Sequence, residues 1–143
     1  MSTTPSGTVA HGPIDVDWVD GSEFEAHRPG GAKIHIDGDA KSAPSPFDLL
    51  LAAVASCAAT DLVAILQKQR TPVQALRIRV EAQRVETTPR RLASAHLYFE
   101  ITAPGTTMAK ASRAVELSVT KYCSVRSSLI ADAPVTWTIA LES

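Results

Sequence analysis

The sequence predicts an α+β fold, and three observations carry the prediction. Short alternating stretches fill the N-terminal third. One long apolar helix interrupts them. Alternating strands then resume in the order β-β-β-α-β-β-α-β, without the regular βαβ repeat of a parallel sheet. The 143 residues fit one domain, and a chain of this size buries roughly 68–70% of its unfolded surface without help from a disulfide or metal.

Met1 to Gly12 is polar, carries no apolar h-region and reads as a disordered leader, so residues 13–143 form the expected single domain. Ile14 to Val19 alternates as a half-buried strand, and Asp20-Gly21 marks a hairpin turn. Phe24 to His27 and Lys33 to Asp37 continue it into a three-stranded antiparallel meander broken at Pro29-Gly30-Gly31. Ser45-Pro46-Phe47-Asp48 then supplies a cap residue, a proline at the first helical position and an acid three places after the cap. The helix it opens should run to Lys68 or Arg70, where Thr71-Pro72 stops it.

Leu49 to Leu66 is nearly apolar all round, which predicts burial on most sides. A partner subunit or the chain's own sheet would each account for that. The longest apolar stretch, Leu49 to Ala59, is too short to span a bilayer and is followed by Asp61. Leu76 to Val85 alternates Leu76, Ile78, Val80 and Ala82 against Arg77, Arg79, Glu81 and Gln83. Leu97, Phe99 and Ile101 alternate in the same way, so the two stretches should form a hairpin with one face on the core. A second helix is expected over Thr107 to Leu117, a shorter one over Ser124 to Ala131, and a last strand over Val135 to Leu141.

Fourteen basic and fifteen acidic residues leave a net charge of −1, which gives no electrostatic reason to expect nucleic acid or an anionic membrane as partner. The expected location is the cytoplasm, where thiols stay reduced unless reactive. Cys57 and Cys123, 66 positions apart, form neither a CxxC nor a zinc ligand set. Cys57 lies mid-helix beside Asp61 and reads either as a small buried hydrophobe or as a thiol needing a basic partner. Cys123 sits at an expected helix start between Lys121 and Arg126, a setting that favours thiolate. His35 and His96 on strands, and Arg77, Arg79 and Arg84, read as solvated surface.

The segment Ala43 to Asp61, APSPFDLLLAAVASCAATD, resembles the first cysteine helix of the OsmC/Ohr superfamily. Arg113 to Val125, RAVELSVTKYCSV, resembles its second cysteine motif, and the wording is most similar to the YhfA-type branch. The resemblance implies an OsmC-like fold in which antiparallel sheets wrap long central cysteine-bearing helices. It implies an intertwined homodimer with active sites at the subunit interface. It also implies reduction of organic hydroperoxides, with no cofactor or metal, by a cysteine pair: Cys57 peroxidatic and Cys123 resolving. A small-molecule or protein dithiol would be the reductant. This order reverses the preference that position alone gives to Cys123.

Hydroperoxide reductases of the family carry a glutamate ten residues before the first cysteine, which orients an arginine on the thiolate. Here that place holds Phe47, and the acid is Asp48. One position on a helix turns a side chain by about 100°, so Asp48 reads as the capping acid. Arg28, the only arginine before the long helix, is the candidate thiolate partner. The alternative to a peroxidase is a dimer that binds an apolar small molecule at its interface, with the cysteines as packing or as a redox sensor; Phe47 is the feature that favours it.

Overall fold

The computed structural model describes residues 7–142, so the first six residues of the expected leader lie outside it. Residues 8–14 carry no helix or strand. The described residues divide into two compact units that meet between Leu49 and Leu50 in sequence.

In the first unit, β1 (Asp15–Asp20), β2 (Glu23–His27) and β3 (Ile34–Asp37) form the expected antiparallel meander. Register sorts its two faces. Val16 lies opposite Ala26 and Ala26 opposite Ile34, while Trp18 lies opposite Phe24 and Phe24 opposite Ile36, so one face is wholly apolar. Asp17, Glu25 and His35 fall on the other. Val16, Trp18 and Ile34 nevertheless remain exposed.

Beyond β3 the chain wraps the buried carboxylate of Asp37. It accepts from Ser22 Oγ at 2.6 Å and from the backbone N–H groups of Asp39, Lys41 and Ser42 at 2.9–3.1 Å. The Ser22 hydroxyl first, then these amides, hold it far below the usual carboxylate range. Helix α1 (Pro46–Lys68) then starts on a reciprocal capping box: the Asp48 amide donates to Ser45 Oγ at 3.1 Å, and the Ser45 amide donates to Asp48 Oδ2 at 2.9 Å. Asp48 is therefore used by the helix start.

The second unit packs α1 from Leu50 onward, together with the later helices, on a sheet of β4 (Ala75–Arg84), β5 (Leu92–Thr102) and β6 (Val135–Glu142). The β4–β5 hairpin is antiparallel, with its apolar face toward the core as expected. The expectation of purely antiparallel sheets fails at β6, which pairs parallel to β5 from Ala95–Val135 to Thr102–Glu142. The intervening helices make a crossover that returns the chain to the start of β5, and a parallel pair requires such a connection.

The core joins Leu97, Phe99 and Ile101 of β5 to Val54, Ala58, Leu62 and Leu66 of α1. The spacing of four puts these α1 residues on one stripe, and each fully buried leucine contributes about 2 kcal/mol. Burial on most sides of α1 is not found within the chain. Ala52, Ser56, Thr60, Val63 and Ala64 are exposed. The whole helix, 23 residues with a mean hydropathy of 2.2 in its most apolar window, is long and apolar enough to cross a membrane. The eleven-residue run understated it, but its Val54–Leu66 stripe is occupied as protein core.

The α1 terminus is a Schellman motif, in which the Thr71 amide donates to Leu66 O and the Arg70 amide to Gln67 O, both at 3.0 Å. Arg70 takes the left-handed position at φ +62.

Candidate active site

The two cysteines reach one place by different local routes. Cys57 is set by the regular spacing of α1, one residue before buried Ala58, and is half-buried. Cys123 is set by an irregularity. Helix α2 (Met108–Leu117) starts on Thr107, whose Oγ1 accepts from the Lys110 amide at 3.2 Å. It then widens into a π-helical turn, Ser118–Tyr122, in which Ser118 Oγ and Thr120 Oγ1 donate back to the carbonyls of Ala114 and Glu116 at 2.7 and 2.6 Å. Such back-bonding bends helices, and π turns recur at functional sites. The chain leaves this turn at Cys123 in extended geometry (φ −71, ψ 100) and re-enters a helix as α3, Ser124–Ser127, shorter than the sequence predicts.

Cys123 is 3% exposed. Its sulfur accepts the Arg126 N–H at 3.3 Å as the N-cap of α3, and its S–H points to Val54 O of α1 at 3.8 Å. It thus lies against α1 one turn before Cys57, close enough for each thiol to shift the ionisation of the other. Cys57 Sγ is also 3.8 Å from Ser124 Oγ.

The environments push the two thiols apart. Burial raises Cys57, but the Val125 backbone N–H, the Cys123 thiol and the Ser124 hydroxyl and amide together outweigh it, so its pKa falls below the ordinary thiol value. Burial also raises Cys123. The Arg126 amide opposes this, but the neighbouring Cys57 adds to it, so Cys123 ends above the ordinary value. Of the pair, Cys57 is thus the thiol whose surroundings favour ionisation and Cys123 the one whose surroundings oppose it.

These directions run against the positional preference for Cys123 as the more activated thiol. Of the two flanking cations, Lys121 lies over the Tyr122 ring at 5.4 Å, and Arg126 serves the sulfur through its backbone amide. The amides at the start of α3 favour ionisation of both sulfurs, Val125 and Ser124 that of Cys57 and Arg126 and Val125 that of Cys123, but at Cys123 burial and the neighbouring Cys57 outweigh them.

Arg28 belongs to the first unit, just after β2; its side chain is exposed and its carbonyl accepts from the Gly31 amide at 2.8 Å. His35 bonds Glu23 on the polar face of the first sheet at 3.1 Å. His96 bridges Thr136 and Thr138 of β6 at 2.6 and 3.3 Å. Among the described residues no group of three His, Cys, Asp or Glu could hold a metal ion. The sequence reading missed Ser124 and the Val125 amide. A hydroxyl residue directly after a cysteine at a helix start was the available signal for the first, whereas a backbone N–H leaves none.

Fold and site together define an α+β protein with a candidate redox-active thiol pair. The family model described as OsmC-like protein matches residues 38–138. Protein YhfA of Escherichia coli (strain K12) is 39% identical over 111 residues, 77% of this chain and 83% of that one. The chain belongs to the OsmC/Ohr superfamily. Among solved structures, the OsmC-like protein from Mycoplasma pneumoniae matches with a TM-score of 0.80 at 17% identity, over 95% of this chain and all of that one. The organic hydroperoxide resistance protein OhrB of Bacillus subtilis matches at 0.60 and 13% identity, over 92% of this chain and 98% of that one. At these identities the likeness is one of fold.

Proposed function

We propose that the chain is a thiol peroxidase that reduces organic hydroperoxides through Cys57 and Cys123. The observation that carries this reading is the meeting of two neighbouring thiols at the start of α3, one tuned toward thiolate and one toward the protonated form. Cys57 thiolate attacks the terminal peroxide oxygen. An S–O bond forms, the O–O bond breaks, and the alkoxide leaves as alcohol with a proton from water, equal to the one Cys57 lost on ionising. The Cys123 sulfur then attacks the Cys57 sulfenic acid. An S–S bond forms, and hydroxide leaves as water with the Cys123 proton. A small-molecule or protein dithiol returns both thiols to the reduced state, as suits a cytoplasmic location. The name of the fold relative OhrB, an organic hydroperoxide resistance protein, supports the substrate class.

The working form is a homodimer in this reading. Two uncovered apolar surfaces support it: the Val16–Trp18–Ile34 face of the first unit and the Ala52–Val63–Ala64 side of α1. A second copy would cover both, and Arg28 would act as thiolate partner in that assembly.

The test is intact mass after cumene hydroperoxide treatment. A loss of two hydrogens with a linked Cys57–Cys123 peptide from one chain is expected. An unchanged mass would leave the apolar-ligand dimer as the better account of the fold.

A further inference from the structure

Five hydroxyls on the helices around the thiol pair bond back to their own helix, and that of Ser124 instead reaches another element. Ser56 Oγ donates to Ala53 O, Thr60 Oγ1 to Ser56 O, Ser118 Oγ to Ala114 O, Thr120 Oγ1 to Glu116 O and Ser128 Oγ to Ser124 O. Each spends its proton on its own helix, three or four residues back. Ser124 follows the extended Cys123, so no turn of α3 lies beneath it. Its hydroxyl reaches another element, Cys57 Sγ on α1 at 3.8 Å, and among the described residues it makes no other hydrogen bond. The Val125 and Ser124 backbone N–H groups favour the ionised form of the same sulfur. A thiolate has no proton to offer, so when Cys57 is ionised the hydroxyl must be the donor.

We propose that Ser124 is a positioning residue for the attacking sulfur: its hydroxyl donates to Cys57 Sγ, turns that sulfur toward Cys123 and holds it as thiolate. The inference rests on the reading of Cys57 as the attacking thiol and adds a residue to that site. A hydroxyl suits the place because it donates without adding a charge beside the incoming apolar peroxide. It also leaves the sulfur's remaining side open to the terminal oxygen.

The test is the rate of Cys57 alkylation by iodoacetamide against pH, read by peptide mass on the reduced full-length protein, with cumene hydroperoxide consumption followed in parallel. Ser124→Ala is expected to move the Cys57 midpoint up by about half to one unit and to slow alkylation at neutral pH about 3- to 10-fold. Ser124→Thr restores the profile, and Ser124→Val, of the same shape without the hydroxyl, does not. Ser128→Ala removes a hydrogen bond from α3 without touching the sulfur and leaves the midpoint in place. An unmoved midpoint in Ser124→Ala, or equal shifts in Ser124→Ala and Ser128→Ala, overturns the proposal. A shifted midpoint in a protein that consumes no hydroperoxide sinks the peroxidase reading and leaves the role of Ser124 standing.

Discussion

Replacing Cys123 separates three tasks that one sulfur performs. It accepts the Arg126 N–H at the start of α3, it lies beside Cys57 and helps lower that thiol's pKa, and it fills a buried site against Val54. Serine keeps an acceptor of the preferred capping type and a donor, so stability should change by no more than about 1 kcal/mol. Alanine loses the cap, which costs about 1 kcal/mol, and strips Cys57 of a hydrogen bond. A bond to a charged group contributes about 1.5–3 kcal/mol where water is excluded. Cys57 is half-exposed, and solvent reduces this to no more than about 1.4 kcal/mol, one pKa unit. Cys123→Ala should therefore raise the Cys57 midpoint by about half to one unit, and Cys123→Ser by less. Alkylation against pH reads the midpoint, and urea unfolding reads the cap. With hydroperoxide, both variants should stop at Cys57 sulfenic acid after one turnover. A Cys57 midpoint in Cys123→Ala that matches the unmodified protein would refute the claim that the two thiols tune each other.

Three further outcomes follow from the rest of the structure. The depressed Asp37 carboxyl favours the fold above its unfolded value of about 3.8, and that contribution is lost as pH falls through the still lower folded value. Asp37→Asn should thus melt lower at pH 7 and converge on the unmodified protein as pH drops below 4, and parallel melting curves across that range would contradict the assignment. Leu62→Ala at the centre of the α1–β5 core should cost about 3 kcal/mol in urea unfolding; a loss under 1 kcal/mol would mean the stripe is not the core. Arg70→Gly at the left-handed end of α1 should stabilise by about 0.5–1 kcal/mol, and a lower melting temperature would show that the Arg70 side chain does more than close the helix.

Local chemistry made most of the fold legible. The capping box at Ser45 and Asp48, the alternation of Leu76 to Gln83 and the Asp20-Gly21 turn are read from neighbours in sequence, and the structure keeps all three. What went astray depended on distant partners. The parallel pairing of β6 follows from where the crossover delivers Val135, which no residue of β6 encodes. The one-sided burial of α1 follows from how much surface one chain's sheet covers, whereas composition reports only that the helix is apolar. At the site, both sulfurs were legible by residue type and family motif, but their order of acidity was not. It turns on burial and on backbone amides, and a backbone N–H is carried by every residue but proline.

Cys57 and Cys123 stand 66 positions apart in the chain and meet only because α1 and the π turn deliver them to each other. Folding thus raises the effective concentration of one thiol at the other, and linkage makes the relation reciprocal. Whatever factor the fold adds to the disulfide's equilibrium constant, the disulfide returns to the fold. Closing a loop of this length restrains the unfolded chain by about 4 kcal/mol on the entropy model, set against the α3 cap that the sulfur gives up. A peroxide arriving at Cys57 would then change the protein's thermal resistance as well as its thiol count, so a melting curve becomes a gauge of oxidation state.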